Sequence, residues 1–397
     1  MALAGLISAV FGVLLEPIER DLGWSRAEIS TGPLVISIMG AFLATPAGYL
    51  IDRWGSRITG TIAVLSTFIG IFGMSQIGDQ LWHWWAAWAF MGISGSFVST
   101  VWMMPISTLF NKGRGMAIAV TISGASVTAA IAPLVTEYFV QAYDWRIAFK
   151  AIAIIWCGIT LPLVIAFVPG SRRMGHSGKE QSTQDNTDSA EPGGFTPREG
   201  YRSPSFYLIF LASLVSGLAA LALLLNLVPI LIFTGIPRTD AVWIAGILGL
   251  ASFAGRLFAG WLMDKFDIRK LAILGGLFSA VLPISLLIAP GIVWAALAAM
   301  IFHGLTGGLR MSAVVYLTST YLGSRSFGLL YGTITITTAV ASGLGPLLAN
   351  YAYDLTLSYW PTIWAAIAGF LLSSMLFAGL GKPPDFSHSA ADQRADP

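Results

Sequence analysis

The stretch Gly48-Tyr49-Leu50-Ile51-Asp52-Arg53-Trp54-Gly55-Ser56-Arg57 decides how this chain folds. It lies between two apolar runs, residues 31–51 and 58–77, each long enough to cross a bilayer. An Asp-Arg pair beside a glycine-bounded turn suits a very short, charged loop between two membrane helices. Glycine lets the chain reverse tightly, and arginines hold such a loop on the cytoplasmic side.

The composition agrees. Of 397 residues, 55% are hydrophobic and only 11% charged, with a mean hydropathy of +0.74. Soluble domains are charged at about a quarter of their positions, so this is a polytopic membrane protein. The single cysteine, Cys157, lies inside an apolar run, which excludes an intramolecular disulfide and a cysteine metal site. A net charge of +2 gives no reason to expect a nucleic-acid partner.

Outward from the quoted stretch, the chain reads as a series of membrane segments. The first apolar run, residues 2–15, spans roughly 21 Å as a helix, short of a hydrocarbon core of roughly 30 Å. It lacks the basic flank and the small-residue cleavage site of a secretory signal, so the expectation is that the start as given trims helix 1. Residues Glu16 to Asp21 are read as ending that helix. Ser25 followed by Glu28 has capping-box spacing. Helices are expected at 30–51, 58–77, 82–110, 114–140 and 146–168, then at 205–233, 240–263, 268–289, 292–321, 326–353 and 359–380. Residues 170–203 are polar and aperiodic and read as a disordered linker. The expected organisation is therefore 1–169, linker 170–203, 204–381, and a tail 382–397.

The two halves repeat. Gly48 to Asp52, followed by Arg53, is matched by Gly260 to Asp264, followed by Lys265. Gly115 to Pro133 is matched by Gly328 to Pro346. The offsets are 212 (264 − 52) and 213 (346 − 133), and this near-constant spacing establishes an internal duplication. Lys and Arg fix the orientation. Arg53, Arg57, Lys112, Arg114, Lys265, Arg269 and Lys270 share one side with the linker and tail, whereas the other side carries only Arg20, Arg26, Arg146, Lys150 and Arg238. Both termini are thus expected in the cytoplasm, with the chain in the plasma membrane, the inner membrane of a bacterium.

Gly-x-Leu-x-Asp-Arg-x-Gly-x-Arg between the second and third segments resembles the signature loop of the major facilitator superfamily. The resemblance implies an all-α fold of twelve transmembrane helices in two six-helix pseudo-repeats. It assigns Asp52, Arg53 and Arg57, with Gly48 and Gly55 shaping the turn, to a cytoplasmic charge network that ties the halves together. Asp264 and Lys265 hold the repeated position. A charged latch, broken and remade in each cycle, supplies the bistability that alternating access needs.

Two further basic residues lie within the membrane. Arg256 is eight residues before Asp264, roughly 12 Å deep. A charge there costs at least roughly 2.5–3.5 kcal/mol, and no Asp or Glu lies near the middle of any segment; Glu137 is the deepest. Such an arginine points to a substrate carboxylate held by a bidentate fork, or to a structural role against aromatics or a broken helix. The Gly-Trp-Ser-Arg before helix 2, Arg114-Gly115, Gly255-Arg256 and Gly345-Pro346 make the chain similar to monocarboxylate transporters and oxalate–formate antiporters. The resemblance makes Arg256 the carboxylate-binding residue. Departures from it are Ser252 where animal carriers have an aspartate, no lysine before Lys112, and none within 327–353.

Arg310 follows His303 by seven residues, nearly two helical turns, so the two share a face. They could bind a second anionic group or relay a proton; structural roles are the alternative for each. Asn226, Tyr331 and Trp102 are further candidates for the wall of a small-ligand site. The expected activity is secondary transport of a small organic anion, a monocarboxylate such as lactate or pyruvate, with a proton as co-substrate and a monomer in the bilayer. Rivals are a dicarboxylate antiporter, an exporter of hydrophobic drugs and a membrane sensor without flux. No nucleophile–base pair, metal cluster or phosphate loop is readable, so neither an enzyme nor a cofactor is expected.

Overall fold

The computed structural model describes residues 3, 5–109, 114–168, 194–323 and 325–384. Side chains at 41, 44, 45, 48, 52, 98–109, 114–123, 167, 257, 260, 264 and 311 are outside the description. The first set of helices comprises α1 (Leu6–Leu22), α2 (Arg26–Met74), α3 (Leu81–Leu109) and α4 (Arg114–Ala142). Its last span is α5 (Trp145–Ile152), which continues through a π-helical turn (Ala153–Cys157) into α6 (Gly158–Phe167). A short α7 (Pro197–Arg202) precedes the second set. That set comprises α8 (Pro204–Leu225) with α9 (Leu227–Phe233), α10 (Arg238–Lys265), α11 (Ile268–Ser279) with α12 (Val281–Ile288), α13 (Val293–Leu322), α14 (Phe327–Thr356) and α15 (Trp360–Ala378). With α2 counted as two arms and the broken helices joined, the described residues form twelve spans in two sixes. Eight are long and apolar enough to cross a membrane on length and composition alone.

The turn at 48–57 is tighter than a loop. Helical geometry holds on both sides of Gly55, the only residue of α2 with a non-helical backbone (φ 78°, ψ 164°). That region is essentially confined to glycine and costs a residue with a Cβ about 1–3 kcal/mol. Gly55→Ala is therefore expected to lower the unfolding temperature in detergent, and an unchanged temperature would show that the turn tolerates a side chain.

Two sequence expectations are corrected. Helix α1 does not end at Glu16 to Asp21 but runs through Pro17 to Leu22, where Gly23 (φ 67°) closes it by donating to the Glu19 carbonyl. Proline removes one ladder hydrogen bond, and the carbonyl it frees, that of Val13, is taken by a side chain described below. Pro33 acts likewise in α2, where the buried Trp84 indole donates to the released Ile29 carbonyl at 2.9 Å.

The second correction concerns residues 194–203, expected to be disordered. Phe195 donates to the Leu322 carbonyl and Gly194 bridges Gly323. Thr196 and Glu199 then form a capping box that starts α7. The Thr196 backbone amide, with its hydroxyl, holds the Glu199 carboxyl below its ordinary value. Gly200 is buried against Leu330, and the Tyr201 hydroxyl lies 2.7 Å from that of Thr333. The chain is thus pinned to α13 and α14 before α8 begins. A scan for apolar periodicity misses so short a capped helix.

Large apolar side chains such as Phe42, Ile288, Trp294 and Met375 are more than 70% exposed, as a lipid-facing surface requires. Inside, one core joins α1 to α6 around Trp84, Trp88 and Phe149. Another joins α8 to α15 around Tyr359 and Phe370. The sets meet through small residues, which let helix backbones approach. On α10, Gly246 and Gly249 face Ala130 and Ser126 of α4, and on α14 Gly343 faces Leu34 of α2.

Candidate functional site

A cavity of about 540 Å³ is lined by Ser213, Ser252, Arg256, His303, Arg310 and Tyr331, among others from α8, α10, α13 and α14, so that its described lining comes from the second set alone. It extends from Leu248 and His303 at mid-depth to Val315 and Tyr331, toward the end that carries Arg53, Arg57 and Lys265 (the basic end). Its described lining contains no aspartate or glutamate.

The position of Arg256 follows from close helix packing. A Cβ on Gly255 would lie 2.6 Å from the Leu305 Cα, and one on Gly308 would lie 2.6 Å from the Arg256 backbone nitrogen. Ala251 and Gly255 of α10 thus interlock with Gly304 and Gly308 of α13, a small-xxx-small seam. The opposite face of α10 rests on α4 through Gly246 and Gly249. Arg256 is thereby held between the halves, and its Nη2 donates to the buried Ser126 hydroxyl at 2.8 Å. Among the described residues no carboxylate pairs with it.

Arg310 borders the same cavity. Its guanidinium lies 5.5 Å from the centre of the Phe370 ring and 3.4 Å from the Ser279 hydroxyl. His303 is buried; its Nδ1 lies 3.1 Å from the Ser279 carbonyl, so that nitrogen carries the proton and donates. The ring packs edge-on against Phe370. The one-face relation read from the seven-residue spacing therefore exists, and Ser279 and Phe370 hold both groups. Tyr331 lines the cavity toward the basic end, stacked on Phe327.

Asn226 is placed elsewhere. It is fully buried at the break between α8 and α9. Its side-chain oxygen accepts from Asn350, which also donates to Ser30 of the other half. The side chains of Trp102, Asp52 and Asp264 lie outside the described residues, as does the surface of Gly48. Arg53 is exposed, Arg57 donates to the Ile165 carbonyl within its own half, and Lys265 sits 4.5 Å over the Trp261 ring. Among the described residues, no hydrogen bond or ion pair joins the halves at the basic end.

The opposite, far end is closed by side chains that sequence reading did not assemble. Arg26 donates to Glu19 and to the Tyr359 hydroxyl, and lies 4.0 Å from the centre of the Tyr353 ring. The amides of Arg26 and Ala27, at the start of α2, donate to the Asp354 carboxylate of α14. There the helix dipole favours a negative charge. On the other side of the molecule Arg238 grips Glu137 with both Nε (2.6 Å) and Nη2 (2.9 Å). It reaches Glu16 with Nη1 and fills the Val13 carbonyl that Pro17 frees. Arg26 and Arg238 are themselves repeat mates, 212 residues apart (238 − 26). Continuing the repeat search to the start of helices 2 and 8 would have shown this.

Comparison with known proteins adds to this geometry. A family model described as Major Facilitator Superfamily matches residues 1–236 and again 209–396. The oxalate:formate antiporter of Oxalobacter formigenes is 23% identical over 385 residues, covering 92% of this chain and 86% of that protein. Monocarboxylate transporter 12-B of Danio rerio is 21% identical over 361 residues, 84% of this chain and 75% of that one. A match to the nitrite extrusion protein of Bacillus subtilis, 23% identical, covers 36% of this chain and 35% of that protein, so about a third of its length is spanned. Among solved structures, the xylose transporter XylE from E. coli in an inward open conformation superposes with a TM-score of 0.75 at 16% identity, covering 99% of this chain and 96% of that one.

Proposed function

The chain belongs to the Major Facilitator Superfamily, and we propose that as a secondary transporter it carries a small organic anion, a monocarboxylate of the lactate or pyruvate kind. One observation carries the reading: a cavity of the second half, whose Arg256 also reaches Ser126 of the first half, is lined by two arginines and by no described carboxylate. A guanidinium taken out of water needs an anionic partner, and here the partner is the cargo. Arg256 forms the carboxylate clamp, hydroxyl groups such as Ser252 complete the polar wall, and Arg310 sets the positive potential deeper in, beside a His303 that shares its contacts with Ser279 and Phe370. The likeness to a monocarboxylate transporter and an oxalate:formate antiporter supports the same class.

In this reading the basic end faces the cytoplasm, as its excess of Lys and Arg favours. The far end is then external, and the conformation faces inward. The halves rock about Arg256, the latches of the far end open, and Asp52, Arg53 and Arg57 tie the basic end shut together with Asp264 and Lys265. A proton accompanies the anion. A second reading, exchange of dicarboxylates, is favoured by one observation: Arg310 lines the same cavity as Arg256.

The test is uptake of radiolabelled lactate, oxalate and succinate into proteoliposomes, with and without an inward proton gradient. Lactate uptake stimulated by the gradient is the expected result. Gradient-independent exchange of oxalate or succinate would move the assignment to the dicarboxylate reading. Well-folded protein that moves none of the three would remove the organic-anion reading altogether.

A further inference from the structure

We propose that Gly307 sets the size of the cargo: the notch it leaves in α13 holds the hydrocarbon body of an acid larger than lactate. This rests on the reading of Arg256 as the carboxylate clamp. Three described glycines line the cavity, Gly217, Gly307 and Gly308. Packing accounts for two of them. A Cβ on Gly308 would lie 2.6 Å from the Arg256 backbone nitrogen, and one on Gly217 would lie 3.1 Å from the Ala341 Cβ. At Gly307 no described atom lies within 4 Å of the Cβ position. Its backbone is helical, so no left-handed φ calls for glycine either.

Inside a helix, glycine is the costliest residue after proline. At Gly304 and Gly308 the close approach of α10 offsets that cost; at Gly307 no such packing does. What the missing side chain provides is room in the cavity. Gly307 follows His303 by four residues and precedes Arg310 by three, so the three share a face of α13. Arg256 adjoins the same turn, since its Cγ lies 3.0 Å from the Gly308 Cβ position. The notch therefore opens beside both arginines, where the carbon chain behind a carboxylate on Arg256 is placed.

The rest of the lining suits such a body. Ala220, Leu221 and Leu224 of α8, Leu248 of α10, Val315 of α13 and Ile334 of α14 supply an apolar wall. A cavity of about 540 Å³ falls in the range of roughly 300–1,000 Å³ that encloses drug-sized ligands. A three-carbon acid leaves most of that space to water. A larger hydrocarbon body displaces this water from the apolar wall, which is favourable.

The experiment compares lactate with phenyllactate, which keeps the same hydroxy-acid head and adds only a phenyl body. Uptake of each radiolabelled acid into proteoliposomes is measured for wild type, Gly307→Ala and Gly307→Leu, less the signal of protein-free liposomes. The readout is the ratio of the phenyllactate to the lactate rate. One methylene in an apolar pocket discriminates by about 10- to 200-fold, so Gly307→Leu is expected to lower the ratio by at least about tenfold. Gly307→Ala should lower it less. General damage to α13 slows both acids and leaves the ratio where it was. An unchanged ratio in an active leucine variant, or wild type that takes lactate and excludes phenyllactate, would overturn the proposal and leave the organic-anion reading standing. Should Gly307→Leu fail to fold, Gly307→Ala carries the test, and a wild-type ratio there would also overturn it. Wild type that moves neither acid removes the organic-anion reading, and the size notch with it.

Discussion

Replacing Arg256 with alanine is expected to reduce uptake of the cognate anion by about 30- to 3,000-fold. Losing one partner of a desolvated, hydrogen-bonded charge pair costs about 2–5 kcal/mol, and each 1.4 kcal/mol is about tenfold. Arg256→Lys keeps the charge but loses the fork that matches a carboxylate, so it should fall between alanine and wild type. The control is Ser126→Ala. It removes the hydroxyl that accepts from Arg256 at 2.8 Å while leaving the guanidinium in the cavity, and it should cost at least tenfold less than Arg256→Ala. Initial uptake rates in proteoliposomes, normalised to reconstituted protein, read both. Were the two variants equally impaired, the arginine would be serving the contact between halves rather than the cargo. Were Arg256→Ala as active as wild type, the anion reading of the cavity would fall.

Gly255→Ala is expected to be severe for a different reason. The added Cβ would meet the Leu305 Cα at 2.6 Å, together with the Leu305 carbonyl oxygen. Both are backbone atoms, so no rotamer change relieves the clash and α10 must move away from α13. Overpacking of this kind costs about 1–3 kcal/mol. The same movement displaces Arg256 relative to Arg310, and misplacement by about 1 Å can cost on the order of a hundredfold in function. Both thermal stability in detergent and uptake should therefore drop. Gly307 supplies the contrast, because nothing lies within 4 Å of its hypothetical Cβ. For thermal stability, Gly307→Ala should be neutral, or stabilising by up to about 1 kcal/mol from helix propensity; its Cβ would face the cavity, so uptake is not part of this contrast. Equal behaviour of the two variants would mean that the seam is not what sets the helix spacing.

Much of the fold was legible because its signals are local. Apolar runs fixed the spans, and the observed helices fall close to the ranges expected from them. The turn at Gly55 was announced by its glycines and charges. Two local readings failed for identifiable reasons. Pro17 suggested an end to α1, but Arg238 satisfies the carbonyl that the proline frees, and the helix continues. The polar stretch before α8 suggested disorder, but Thr196 and Glu199 cap a short helix that docks on α14.

The candidate site divides in the same way. Arg256, Arg310 and His303 stood out because charge and imidazole are rare at membrane depth, and the structure places all three on one cavity. Asn226 stood out for a similar reason and proved to be committed to Asn350, since a buried amide is as useful for joining helices as for binding a ligand.

By itself the sequence determined a membrane protein of twelve spans, its duplication at an offset of 212 to 213, and the depth of Arg256. Each of these depends on hydropathy or spacing along the chain. Tertiary structure alone decided the partners: Ser126 for Arg256, 130 positions away, Glu137 for Arg238, 101 positions away, and Asp354 for the start of α2, 328 positions away from Arg26. Such pairings arise from how helices pack, and in a single chain the sequence carries no local mark of which distant charge will meet which.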